Sequence, residues 1–284
     1  MSFASNFAKV DPLVLLVALI LQGLTLILDR SQPRTRPFFL EDATVWYPKA
    51  SSSTVPFWLI PVVGFAGFVP CFVLLEWITK KRSKVRSQVW IQCLRLISNY
   101  TAAFLFTTVF TQLGKLYVGY LRPDFAARCL GASTTIPPLE YNHTVILNNQ
   151  QCTTTSLGSI ANGRKSFPSG HASSATSLCF FFVLYLIDKS TKVTSPWVAQ
   201  LLQVIALFPL AFGFYVGASR IVDNRHHPAD VVAGSLLGIV FASIFFWKTK
   251  VAIDNEDRAE EYLATRMLMA QDEDAHEPIE LAYY

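Results

Sequence analysis

Charge is what this chain has least of. Asp, Glu, Lys and Arg supply 15% of its 284 residues, while hydrophobic residues supply 52%, including 22 Phe and 6 Trp. Soluble domains carry about a quarter charged residues, and this apolar load exceeds what one soluble core uses. A freely soluble globular enzyme is thereby excluded, and no nucleic-acid partner is expected. Gly/Ser-rich linkers, internal repeats and a second domain are also missing, so one membrane domain is expected over residues 1–253.

What stands in place of charge is six long apolar stretches: Pro12 to Leu28, Phe57 to Ile78, Trp90 to Leu113, Ala172 to Ile187, Trp197 to Ala218 and Ala229 to Trp247. Each approaches or exceeds the roughly 20 residues that span a bilayer as helix. Trp58, Trp77, Trp90, Trp197 and Trp247 fall at stretch ends, the depth an amphipathic ring prefers. Lys9 precedes the first stretch in signal-peptide fashion. That run is long for such a segment, however, and no small-x-small site follows before Asp29-Arg30, so a retained helix is expected. The fold class is all-α, a polytopic six-helix membrane protein. Residues 254–284 hold ten acids and two bases, the composition of a disordered cytosolic tail.

The segment from Lys80 to Arg86 carries five positive charges between the second and third stretches, and the positive-inside rule assigns it to the cytosol. Counting helices from there puts both termini in the cytosol and the segments 33–55, 114–171 and 219–228 outside. Asn142-His143-Thr144 is a glycosylation sequon in the long outer segment, and Cys129 and Cys152 there are positioned to pair under oxidising conditions. Cys71, Cys93 and Cys179 sit in apolar runs and read as packing thiols, and Asn99-Tyr100-Thr101 lies inside a membrane stretch. Arg95 is expected to snorkel to headgroups. Gly213 with Gly217, and Gly234 with Gly238, form small-residue faces that predict the fifth and sixth helices packing on each other.

Polar chemistry concentrates at three places where apolar stretches end. Lys115 and Arg122 are seven apart; on a continuing helix they would point the same way about 10 Å apart, with Pro123 ending the element. Arg offers a planar fork for two phosphate oxygens and Lys a compact charge for a third. Pro168-Ser169-Gly170-His171 opens the fourth helix. Gly170 admits close approach, Ser169 caps or donates, and the helix start favours an anion, with His171 beside it as a proton donor. Arg220 closes the fifth helix and His226 precedes the sixth, with Asp230 four residues on. An Asp accepting from Nδ1–H leaves Nε2 as nucleophile and stabilises the imidazolium it becomes. His227 is a rival, three residues from Asp230. His171, His226, His227 and Asp230 also form a conceivable zinc set, against which stand the charges of Lys115, Arg122 and Arg220.

The spacing resembles the three-part signature of the type 2 phosphatidic acid phosphatase (PAP2) superfamily, K-x6-R-P, P-S-G-H and S-R-x5-H-x3-D, and every position is matched. Arg122-Pro123-Asp124-Phe125 with Cys129, and the Arg225-His226-His227 triplet, look most like the fungal diacylglycerol pyrophosphate phosphatase and plant lipid phosphate phosphatase branch. The resemblance implies a site at the extracytosolic interface in the secretory or vacuolar system or the plasma membrane. Its substrates would be membrane lipid phosphates, namely phosphatidate, diacylglycerol pyrophosphate and lysophosphatidate, with no cofactor and no magnesium. It selects His226 as nucleophile and His171 as acid, with Lys115, Arg122, Ser169, Gly170 and Arg220 on the phosphate. The rivals are a phosphotransferase of the same superfamily and a non-catalytic binder of anionic lipids.

Overall fold

The computed structural model describes residues 12–39, 41–79, 86–131, 145–146 and 149–275. Asn142, most of the basic segment (80–85) and the last nine residues lie outside the described residues. The chain forms two compact units, Met1–Phe246 and Trp247–Tyr284.

Among the described residues six helices are long and apolar enough to cross a membrane. They are α1 (Pro12–Arg30), α2 (Leu59–Thr79), α3 (Arg86–Val118), α6 (Gly170–Lys192), α7 (Pro196–Val222) and α8 (Pro228–Ala275). Two short helices lie between α3 and α6: α4 (Phe125–Cys129) and α5 (Leu157–Gly163). A two-residue antiparallel pairing, β1 (Phe38–Phe39) with β2 (Val145–Ile146), joins two of the connecting segments. The starts follow from local chemistry. Ser169 caps α6, and Pro196 and Pro228 open α7 and α8, where a missing N–H goes unneeded.

The middle of the first unit is aromatic. The Phe72 ring lies 5.2 Å from Tyr100, 5.3 Å from Phe182 and 4.8 Å from Tyr185, edge to face, tying α2, α3 and α6 together. Within α2 the stretch Val62–Phe68 widens to a π-helix, and the Tyr100 hydroxyl donates to the Gly64 carbonyl at 3.1 Å. Charge is also taken inside. Glu76 of α2 is fully buried, 2.7 Å from the Lys189 ammonium, and accepts from Tyr185 at 3.2 Å. Arg95, expected to snorkel, is instead 5% exposed within the bundle; its helix turns that face toward the protein, where polar neighbours Gln92 and Asn99 are also buried.

The small-residue faces pack differently from expectation. A Cβ on Gly234 would lie 2.5 Å from the Ser169 carbonyl oxygen, and one on Gly238 2.5 Å from that of Ser173. Both glycines of α8 therefore seat α6, not α7. Only Gly217 of α7 meets α8, at Val231. The small serines of α6 leave its backbone open to α8, while the Ser173 and Ser177 hydroxyls turn to α3, pairing with Thr111 at 2.8 Å and Thr107 at 3.1 Å. In the second unit, residues 254–275 are helical where composition alone suggested an irregular tail. Ala, Glu, Leu, Met and Arg are strong helix formers, and Lys250 pairs with Asp254 at 2.9 Å one turn on.

Gly234→Val would drive a side chain into the Ser169 carbonyl. It should destabilise the detergent-solubilised protein by about 2 kcal/mol or more, read as a lowered midpoint of thermal unfolding, whereas Gly23→Val on α1, which meets nothing within 4 Å, should shift it little.

Candidate active site

All three polar clusters gather at one end of the bundle, where α3 and α7 finish and α6 and α8 begin. Lys115 rides the last turn of α3. That helix does not continue to Arg122: it stops at Val118, and Gly119 reverses the chain with φ 61°. A side chain there would collide with the Arg34 carbonyl, whose own N–H donates to Leu116 at 3.0 Å. The two cations thus come from different elements rather than one helix face. Arg122 is held by its backbone, its N–H donating to Gly163 at 2.8 Å, so α5 fixes where the guanidinium stands. Cys129 and Cys152 are joined as a disulfide, and Asp124 takes two bonds from Arg128 at 2.7 and 2.6 Å. Arg164, fully buried, donates to Asn149 and to the Arg36 carbonyl, both at 2.7 Å.

Ser169 is buried and its N–H donates to the Asp230 carbonyl at 2.9 Å. Gly170 lies so close to Lys115 that a Cβ would sit 2.9 Å from Nζ; the missing side chain is what lets the ammonium reach the helix start. His171 follows on the same turn, its ring edge-on to Phe57 at 5.2 Å. Arg220, His226, Lys115 and Arg122 all act on His171 electrostatically, which brings the three sequence clusters into one field.

His226 is 3% exposed, with Nδ1 3.6 Å from Oδ2 of Asp230, a contact longer than a hydrogen bond. That carboxylate oxygen already accepts from the Ser166 hydroxyl at 2.5 Å and the His227 N–H at 2.9 Å. Burial lowers the basicity of His226, and Arg122 and Lys115 lower it further, with Asp230 pulling the other way; the imidazole is neutral at neutral pH. Burial likewise brings Arg122 down to about 9, which leaves it cationic. His227 turns aside: its Nε2 lies 3.1 Å from the Leu121 carbonyl and its ring 5.2 Å from Tyr120. Among the described residues no three His, Cys, Asp or Glu side chains form a metal-holding group.

Several participants had no sequence signal. Arg220 binds the Ser219 hydroxyl at 2.8 Å, Asp223 at 2.9 Å and Ser53 at 3.3 Å. Asp223 in turn accepts the Thr54 N–H at 2.9 Å and its hydroxyl at 2.5 Å, and Arg225 donates to the Ala50 carbonyl at 3.2 Å. The segment before α2 is thereby fastened across the third cluster. Asp223 sits three residues after Arg220, a spacing that hints at a pair; Ser53, Thr54, Phe57 and Ser166 offered nothing comparable. Buried Arg122 Nε, His171 Nε2, His226 Nδ1 and Asp230 Oδ1 have no hydrogen-bond partner among the described residues. His226 Nδ1 faces the Asp230 carboxylate at 3.6 Å, so of these four atoms Arg122 Nε and His171 Nε2 are the two left for a polar ligand.

Cations thus converge on two histidines at one end of a bundle of membrane-length helices. The PAP2 superfamily matches residues 92–253, more than half the chain, and the chain belongs to that superfamily. It is 29% identical over 224 residues to diacylglycerol pyrophosphate phosphatase 1 of Saccharomyces cerevisiae, covering 79% of this chain and 74% of that protein. It is 29% identical to phospholipid phosphatase 1 of Rattus norvegicus (86% and 88% covered) and 31% identical to lipid phosphate phosphatase 2 of Arabidopsis thaliana (85% and 77% covered). No solved structure matches.

Asp223→Ala removes both bonds to Thr54. Amide exchange in a peptide covering residues 50–56 should then quicken at least about tenfold, since a bond to a charged acceptor contributes about 1.5–3 kcal/mol. Exchange unchanged from wild type would mean the segment is held from elsewhere.

Proposed function

We propose that the chain is a metal-independent lipid phosphate phosphatase working through a phosphohistidine. The observation that carries this is the pair of buried unpaired atoms, Arg122 Nε and His171 Nε2, in the field of Lys115 and Arg220 and beside His226 with Asp230 behind it. The fungal, plant and mammalian relatives, named as diacylglycerol pyrophosphate, lipid phosphate and phospholipid phosphatases, support the substrate class. Phosphatidate, diacylglycerol pyrophosphate and lysophosphatidate are the proposed substrates.

Lys115, Arg122, Arg220 and the Ser169-Gly170 turn bind the phosphate oxygens. Their fixed charge offsets what builds up on phosphorus in the transition state, the task a metal performs elsewhere. His226 Nε2, kept neutral by burial, attacks phosphorus, and the bond from phosphorus to the lipid oxygen breaks. The bound phosphate favours the protonated form of His171, which hands its proton to the leaving oxygen. Water then gives a proton back to His171 and its oxygen attacks the phosphohistidine, so that the P–N bond breaks and phosphate departs. With a pyrophosphate the broken bond is the anhydride, whose leaving group needs a proton less. Asp230 compensates the imidazolium formed when His226 is phosphorylated. A phosphotransferase would share these steps and differ only in accepting an alcohol for water. A mere anionic-lipid binder has no use for two histidines with a carboxylate behind one.

The positive-inside rule supports a site facing the lumen or exterior, with both termini cytosolic. Lys115 closes α3 at the end opposite Arg86, the last of the basic residues that lead into that helix in sequence.

Labelled lipid phosphate added in excess EDTA should leave acid-labile label on wild type and on His171→Ala, the latter with a good leaving group, and none on His226→Ala. Label on His226→Ala at any histidine overturns the nucleophile; label lost to EDTA and restored by zinc or magnesium overturns metal independence. Ser133→Cys should react with a membrane-impermeant thiol reagent from outside, and Asn142→Gln should run smaller than wild type. Reaction only from the cytosolic side would invert the orientation.

A further inference from the structure

A groove of about 380 Å³ runs down the outside of the bundle between α6, α7 and α8. Its walls include Cys179 of α6, Gly213, Gly217 and Ile221 of α7, and Ser235 and Ile239 of α8. It begins where the chemistry ends: Ile221 follows Arg220 directly, and Pro228, also in the wall, lies two residues past His226. From Ile221 it descends along α7 to Leu210, and from Pro228 along α8 to Ile239. Each run covers twelve residues, about 16 Å at the helical rise, close to half the roughly 30 Å of a hydrocarbon core. The groove therefore spans one leaflet, from the phosphate site to about the midplane, and it opens sideways, with Leu210 and Ile221 each 40% or more exposed.

Glycine has different reasons at different places along these helices. At Gly234 and Gly238 a Cβ would clash at 2.5 Å, so packing demands glycine. At Gly213 a Cβ would meet nothing nearer than Cys179 at 3.7 Å, an ordinary contact. Packing does not require that glycine; what its missing side chain preserves is the hollow.

We infer that this groove holds one acyl chain of the substrate while its phosphate sits among Lys115, Arg122 and Arg220. The inference rests on the lipid phosphatase reading and gives it a specificity element. A mouth within two residues of Arg220 and His226, a depth of about one leaflet and an apolar wall all fit a fatty chain entering from the same leaflet as the headgroup. A chain held here would add binding that a short-chain ester cannot use.

Two experiments test it. Ser235→Phe narrows the hollow, and Gly213→Ala does so gently with a residue better suited to helix. The ratio of kcat/KM for hexadecanoyl over butanoyl phosphatidate in mixed micelles should fall about tenfold in the first and about threefold in the second. Ratios equal to wild type overturn the groove. Separately, wild-type protein should be labelled between residues 209 and 239 by a phosphatidate bearing a photoreactive group midway along its chain, and excess phosphatidate should suppress the labelling. Labelling elsewhere, or equal labelling by a phosphatidylcholine probe, would assign the hollow to bulk lipid; protection of the groove without any lipid competitor would assign it to a second copy of the chain. Either result overturns the proposal. Because labelling needs no turnover, an inactive protein that still labels here would sink the phosphatase reading and leave the groove standing.

Discussion

One buried carboxylate holds the catalytic end together. Asp230 is fully shielded from solvent, and an anion in that position is tolerated only when donors surround it. Its side chain collects the Ser166 hydroxyl and the His227 N–H and faces His226, while its backbone carbonyl takes the Ser169 N–H. A single residue therefore sets the distance between the start of α6 and the start of α8, and with it the relation of one histidine to the other. The glycines at 234 and 238 allow that spacing, since any side chain there would push α6 away.

Much of this was legible in the chain itself. Apolar runs separated by short polar segments gave the six helices, and the residues capping those runs gave the histidines, Lys115, Arg122, Arg220 and Asp230. Local signals worked because they are local: a proline at a first turn, a serine before a helix, a histidine four from an acid. Where reasoning along one element was extended too far, it failed. Lys115 and Arg122 were treated as one helix face, yet Gly119 reverses the chain between them. Arg95 sat at a depth that suits snorkelling, but depth says nothing of which way a helix face turns. Small-residue spacing marks a helix face fit for close approach but not which neighbour takes it, and Gly234 and Gly238 take the α6 backbone. The Thr54–Asp223 and Ser53–Arg220 bonds join residues some 170 apart, and no periodicity carries such a pairing.

The electrostatics divide the molecule in two. At the catalytic end cations outnumber nearby acids and polar atoms are left unpaired, which is unfavourable for the protein alone and suits an incoming anion. Near the other end, Glu76 and Lys189 neutralise each other at 2.7 Å and Tyr185 adds a bond. Removing either member of that pair would strand a charge in an apolar interior. Stability and reactivity are thus assigned to opposite ends of the same helices, joined through the aromatic layer around Phe72.

The clamp between Thr54 and Asp223 also says something about biosynthesis. Its two halves are separated by 169 positions, so a ribosome making about 5–20 residues per second delivers the second roughly 8–34 s after the first. Throughout that interval the early segment has no carboxylate to receive it, and Lys115 and Arg122 have neither Asp223 nor Asp230 nearby. That end of the bundle is therefore a late product of translation: the fifth membrane helix delivers Arg220 and Asp223 to the waiting segment, and only the sixth brings Asp230.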